Sequence, residues 1–414
     1  MHSRVPYTVT LLTLVGAAVL SGCAGNGNYT TKFKEEAIGR MNMVKAGTQW
    51  DMANQQFQSG DLVRALETVN TSLALNDRVA KSHLLKGRIQ LELGRLEPSF
   101  DSLATSIELD SKSALAPYFR AVVLERMEKD EAALADYKTA AGLDRSNPQF
   151  TVAAAEVLMQ LGRLSEAREL LEPSAGSDLP RFTQNAGARQ TMGHIALMEH
   201  DYDAAVRYFR EASVLAPGDN ALLEDLARAQ VTANRFGDAE GNLERILRNA
   251  KINERRDLRL LRARCLLETE RPVDARVILQ ELAAGPGASD PDVWVQLGNV
   301  AVVLDDSYRL REAGSKVVAL APRRHEGYLL LGVYHRKADK LAAAADMLEK
   351  SVQRSTDDPT PALVLAMVYQ QQGKIAEARA AADTALALSP DNQRVRELVG
   401  RLGAVADAPT SDAN

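Results

Sequence analysis

The sequence predicts an all-α fold: about ten stacked two-helix units closed by a C-terminal capping helix. Composition is the first support. The 414 residues are 45% hydrophobic and 25% charged, enough apolar side chain to bury a core. Aromatics make up only 5%, whereas alanines number 63 and glycines 26. That balance favours small-residue helix packing over strands, which want aromatic and β-branched side chains. A 34-residue period is the second support. Gly60, Gly94, Glu128 and Gly162 are spaced by 34, as are Ala65, Ser99, Ala133 and Ala167. With four residues inserted after 181, two after 253 and one after 289, ten repeats fill 46–392. The eighth position of each repeat is the third: Ala53, Gly87, Ala121, Ala155, Gly193, Ala227, Ala263, Gly298, Gly332 and Ala366. All are small, although Gly and Ala total 89 of 414 residues; chance agreement is ~10⁻⁷.

The amino terminus reads as an address. Arg4 is the only formal charge before Lys32, and residues 9–20 are an apolar run. Twelve helical residues span about 18 Å, too short for a hydrocarbon core of about 30 Å. A positive start followed by a short apolar run fits a secretion signal over 1–22. Leu20-Ser21-Gly22-Cys23 resembles the lipobox of bacterial lipoproteins, which implies that Cys23 is lipidated and becomes the first mature residue. Ala24 follows where an inner-membrane-retained relative would carry aspartate, so the resemblance implies an outer-membrane anchor, with the chain facing the periplasm or the cell surface. Several acyl chains anchor stably where one does not. Residues 23–45 are then the lipidated tether and a leading helix: 24–31 are flexible in composition, and Phe33, Ala37, Met41 and Val44 share one helical stripe from 32 to 46.

Repeats follow over 46–392. The twentieth position holds Ala65, Ser99, Ala133, Ala167, Ala205, Ala239, Ala275, Leu310, Ala344 and Ala378, so the two helices of each repeat approach closely. Pro217, Pro322 and Pro390 close three repeats, where proline ends a helix. Trp294-Val-Gln-Leu-Gly298, Tyr328-Leu-Leu-Leu-Gly332 and Asp201-Tyr-Asp-Ala-Ala205, with Tyr208, Phe209, Ala212 and Pro217, resemble the tetratricopeptide repeat. The resemblance implies a right-handed α-solenoid in which each repeat touches its neighbours. Repeats 4, 6 and 7 depart most: Pro173 cuts the second helix of repeat 4, and Leu310 stands where repeat 8 should have alanine. Residues 174–185 and 285–290 are the expected loops or kinks. In the capping helix and tail, 393–414, Val395, Leu398, Val399 and Leu402 form the inward stripe and 406–414 fray.

Chemistry-bearing motifs are missing. No Gly-x-Ser-x-Gly elbow, Gly-x-x-x-x-Gly-Lys loop or His-Glu-x-x-His helix occurs. His194 and His200 flank a helix end and share no face, and Cys265 at a packed position reads as a buried thiol. The expectation is no catalytic residue, metal, cofactor or small-molecule substrate. A net charge of −5 also argues against nucleic acid, which demands a basic excess.

The resemblance places the concave face at positions 2, 5, 9 and 12 of the first helices. In repeats 1 to 4 these include Trp50, Asn54, Phe57, Lys81, Leu84, Arg88, Leu91, Tyr118, Val122, Glu125, Val152, Glu156 and Met159. An apolar track with a few polar groups suits a protein or peptide partner. The groove expected to bind comprises Trp50, Asn54, Phe57, Leu84, Arg88, Tyr118, Val122 and Glu125, with packing inside the solenoid as the competing use of the same side chains. The carboxylate clamp of chaperone-binding relatives is not matched, because Trp50 precedes Asn54 and repeat 3 lacks the basic pair. Glu224, Arg228, Asp257, Arg264, Glu326 and Arg336 make the later groove more polar. The reading is a non-enzymatic interaction scaffold on the outer membrane, similar to lipoproteins that assist Tad-type pilus or secretion assemblies. An adaptor docking cell-wall hydrolases or proteases is the alternative.

Overall fold

A computed structural model of the chain describes residues 28–172, 184–248, 250–251 and 254–406. The expected signal 1–22, Cys23, tether residues 24–27, Pro173, most of the repeat 4–5 insert and the tail 407–414 lie outside the described residues. Among the described residues there are 21 helices and no strand. Repeat 1 is built from the end of α1 (Asn28–Gln58) and α2 (Leu62–Leu75). Then come α3 (Ala80–Glu92) and α4 (Leu96–Leu109), α5 (Leu115–Arg126) and α6 (Asp130–Leu143), and α7 (Pro148–Gln160) and α8 (Leu164–Leu171). Repeats 5 to 7 are α9 (Ala186–Met198) and α10 (Tyr202–Leu215), α11 (Asn220–Thr232) and α12 (Phe236–Leu247), and α13 (Arg256–Glu268) and α14 (Pro272–Ala284). Repeats 8 to 10 are α15 (Pro291–Val303) and α16 (Ser307–Leu320), α17 (His325–Lys337) and α18 (Leu341–Val352), and α19 (Thr360–Gln371) and α20 (Ile375–Leu388), before the cap α21 (Gln393–Ala406).

The helices form two compact bodies divided between Thr191 and Met192, inside α9. Within each, consecutive helices stack as antiparallel hairpins. First helices of neighbouring repeats also touch: α1 with α3 and α3 with α5 in the N-terminal body, and α13, α15, α17 and α19 in sequence in the other. This contact makes the first helices a continuous face on which a groove can form.

The close approach predicted inside each repeat is present. All ten eighth-position residues are buried, and all ten at the twentieth position are fully enclosed. A Cβ on Gly87, Gly193 or Gly332 would come within 2.5, 2.7 and 2.5 Å of Leu103, Phe209 and Leu348 across the hairpin. Glycine there makes room for a large side chain on the second helix. The two exceptions have physical reasons. Ser99 replaces alanine because its hydroxyl donates to the Gly87 carbonyl at 2.6 Å. Leu310 packs in a core cluster with Ala301, Ala313, Val317 and Leu330, and the position four residues on, which is Leu103, Phe209 or Leu348 in other repeats, is Gly314 here.

Each first helix ends the same way. Position 15 has positive φ in all ten repeats, at Gly60, Gly94, Glu128, Gly162, His200, Asn234, Glu270, Asp305, Asp339 and Gly373. The next amide then reaches back to a carbonyl five residues earlier, as Asp61 to Gln56 at 2.9 Å and Arg271 to Leu266 at 2.8 Å. This left-handed cap satisfies carbonyls that the helix end leaves open and reverses the chain into the second helix.

The leading segment differs from expectation. Residues 28–31 belong to a helix, not a tether, and no break separates the leading helix from repeat 1. Gly39 and Gly47 keep helical backbone and no proline interrupts 28–58, so nothing outweighs continuation. Phe33, Met41 and Val44 of the expected stripe are exposed by 56, 48 and 71%. At the other end Val395, Leu398 and Leu402 are buried against α20 and its neighbours, as the cap requires.

Candidate peptide-binding groove

Trp50, Asn54, Phe57, Leu84, Arg88, Tyr118, Val122 and Glu125 are all half-buried, on α1, α3 and α5. Helical spacing puts positions 5, 9 and 12 on one stripe, and the α1–α3–α5 contacts set these stripes side by side. Leu91 is buried in the core instead: position 12 turns inward where Val123 and Leu103 need filling.

Two local arrangements organise this face. The Trp50 indole Nε1 donates to the Lys81 carbonyl at 3.1 Å, and the Lys81 ammonium lies 4.1 Å from the Trp50 ring. Trp50 therefore ties repeat 1 to repeat 2 as well as presenting a ring edge. The Arg88 guanidinium sits between two aromatic rings, 4.9 Å from Phe57 and 4.6 Å from Phe119. Its Nε is enclosed without a hydrogen-bond partner, and Arg88 makes no ion pair among the described residues. Desolvation pulls the Arg88 pKa down, opposed by the charge of Glu92.

Beyond Arg88 the groove becomes aromatic and then acidic. Tyr118 packs within 5.0 to 5.6 Å of Phe150, Phe119 and Tyr137. Burial raises its hydroxyl pKa first, with Glu156 and Glu125 adding to the shift. Glu125 is already engaged: it accepts from the Tyr137 hydroxyl at 2.7 Å and from the Gln160 amide at 3.5 Å. Arg88 keeps hydrogen-bonding capacity for a ligand at its Nε. Phe119, which stacks on Arg88, and Tyr137, which packs on Tyr118 and bonds Glu125, fall outside the four expected positions. Phe119 follows Tyr118 directly, and that aromatic pair was the available signal.

The C-terminal body presents a different face. Arg228 pairs with Glu224 and Asp257, both at 2.8 Å, and Arg255 reaches Glu224 at 2.6 Å. Arg324 holds Asp292 at 2.6 Å and Glu326 at 2.5 Å, while His325 lies 3.2 Å from Asp358. These charges neutralise one another across neighbouring repeats. Arg264 remains exposed, and Arg336 lies 3.6 Å from the Met367 sulfur. Cys265 is buried, and desolvation pushes its thiol up to about 11, a protonated and unreactive state at neutral pH. His194 lies near Asp225 while His200 caps its helix beside Tyr202, so the structure keeps the two apart.

Models of the tetratricopeptide repeat match residues 129–178 and 335–402 and residues 224–291. No curated protein sequence matches the chain. Among solved structures, an APC/C hetero-tetramer aligns at 15% identity over 86% of this chain and 90% of that one, with a TM-score of 0.44. A tetratricopeptide repeat protein from Parabacteroides merdae aligns at 19% identity over 57% of this chain and 91% of its own, also at 0.44. YrrB, described as a tetratricopeptide protein with an unusual peptide-binding site, aligns at 17% identity over 48% and 96%, at 0.36. The chain thus carries tetratricopeptide repeats, and its fold is an α-solenoid made of them. Proteins of this fold generally mediate protein–protein interactions and are typically non-catalytic.

Proposed function

We propose that the chain is a non-enzymatic scaffold, held at the outer membrane through Cys23, that docks a protein partner in the groove of repeats 1 to 4 during assembly of an envelope apparatus such as a pilus or secretion system. The observation that supports the groove is Arg88: a half-buried cation that makes no ion pair among the described residues, stacked between Phe57 and Phe119 on a face that also carries half-buried Trp50 and Tyr118. Aromatic and arginine side chains dominate interface energetics, and a peptide carboxylate would supply the charge that Arg88 lacks. The lipobox-like Leu20-Ser21-Gly22-Cys23 supports the anchor, and no helix among the described residues is long and apolar enough to cross a membrane. Two variants test the reading in native cells. Cys23→Ser should release the folded protein from outer-membrane fractions. A photocrosslinking residue replacing Val122 should capture a pilus or secretion component, and the same residue replacing exposed Glu169 should not. Flotation of the Cys23→Ser protein with outer membranes contradicts the anchor, and equal capture from both positions contradicts the groove.

A further inference from the structure

We infer a membrane-contact surface at the amino end of α1: the projecting part of this helix lies along an anionic phospholipid surface, with its apolar stripe in the headgroup layer. The inference rests on the anchor at Cys23 and goes beyond it, because acyl chains alone leave the folded surface free of the bilayer. α1 outruns repeat 1 by the 18 residues 28–45, about 27 Å of helix. Every residue from 31 to 41 is exposed. The apolar exposure belongs to this projection and not to the end of the repeat array. Once the repeats begin, the exposed positions of α1 are Thr48, Asp51, Met52, Gln55 and Gln58, of which Met52 alone is apolar. The array therefore closes its own end with polar side chains, and the stripe before it has a separate cause.

Charge around the stripe names what covers it. At 100° per residue Phe33, Ala37, Met41 and Val44 share about 80° of the helix circumference, and all four are exposed. Arg40 lies about 20° outside one edge of that arc, and Lys34 and Lys45 lie about 20° and 40° outside the other. Glu35 and Glu36 stand about 160° and 100° from its centre, so both acids are turned away. Apolar residues bordered by Lys and Arg, with the acids elsewhere, are the make-up of a helix lying in a bilayer interface. The basic side chains can lay their stems along the apolar arc and reach lipid phosphates with their charges. Distance favours the same occupant. Cys23 precedes Asn28 by five residues, which even fully extended reach only about 18 Å. An anchored chain holds the stripe beside the headgroups at high effective concentration, where a contact too weak to form alone is populated. Trp50 lies about 14 Å along the unbroken helix from Met41, so the contact also keeps the start of the groove near the membrane.

The test places a nitroxide on the lipidated full chain at Met41→Cys or, separately, at Glu35→Cys, in vesicles of phosphatidylethanolamine and phosphatidylglycerol. Cys265 is buried and does not compete for the label. Collision with oxygen relative to a water-soluble nickel chelate should be about fivefold higher at position 41 than at position 35, the contrast between an interfacial and an aqueous face. Ala37→Asp with Val44→Asp should bring position 41 to the value of position 35, with flotation and melting temperature unchanged. Flotation of the same preparations reads the anchor by itself, and a chain that does not float loses the anchor and this inference together. A floating chain whose two positions are equally open to the chelate keeps the anchor and overturns the membrane contact. Shielding of position 41 in native outer membranes but not in the vesicles overturns it too, because a protein then covers the stripe.

Discussion

Among the described residues seven side chains occupy a backbone conformation that glycine favours, and six of them, Glu128, His200, Asn234, Glu270, Asp305 and Asp339, end first helices. Each sits where Gly60, Gly94, Gly162 and Gly373 end other first helices. Gly60, Gly94 and Gly162, with Glu128 in register, exposed the period, but the positions without glycine could not be read as turns from residue type, because the cap is imposed by hairpin closure and tolerated by exposed side chains. The left-handed region costs an ordinary residue about 1 kcal/mol. Glu270→Gly should therefore stabilise the C-terminal body by about 0.5–1 kcal/mol, and Gly162→Ala should destabilise the N-terminal one by a similar amount. Urea midpoints of the two variants check both signs. Small packed residues were far more legible, since a buried alanine or glycine at fixed spacing has a single cause, whereas Leu310 needed Gly314 in view before its place made sense.

At the scale of elements, helix pairs were legible because each repeats the same small residues at fixed spacing, and the capping stripe Val395, Leu398 and Leu402 was legible from its 3.6 periodicity. The leading helix was misjudged for the opposite reason. Its apolar stripe suggested a short amphipathic helix leading into the main body, but Phe33, Met41 and Val44 are exposed and the helix runs on without a break into repeat 1. The ends should therefore respond unequally to change. Deleting residues 31–42, which are exposed or half-exposed, should leave the melting temperature unchanged. Leu398→Asp should lower stability by more than about 3 kcal/mol by placing an unpaired charge in a packed site. Thermal unfolding followed by circular dichroism compares the two, and equal effects would mean the extension of α1 is part of the folded core.

At the scale of the whole molecule, repeat proteins separate stability from recognition: neighbour contacts hold the array, and residues on the face of the first helices are left to specify a ligand. The eight groove positions could be placed on one face from the repeat frame. Their energetic roles could not, because those depend on contacts between repeats. Trp50 proves to bind the Lys81 carbonyl, Glu125 is held by Tyr137, and Phe119 joins Phe57 around Arg88. The C-terminal body uses the equivalent positions for mutual ion pairing, which leaves the N-terminal groove with the unmet charge. Since Trp50 and Tyr118 also serve packing, Arg88 is the residue that separates binding from folding. The decisive measurement is the affinity of the partner captured from Val122, determined for the wild type and for Arg88→Glu alongside their melting temperatures. The account predicts a loss of about 2 kcal/mol, roughly thirtyfold in Kd, at an unchanged melting temperature. Undiminished affinity, or a lowered melting temperature with unchanged binding per folded molecule, would contradict it.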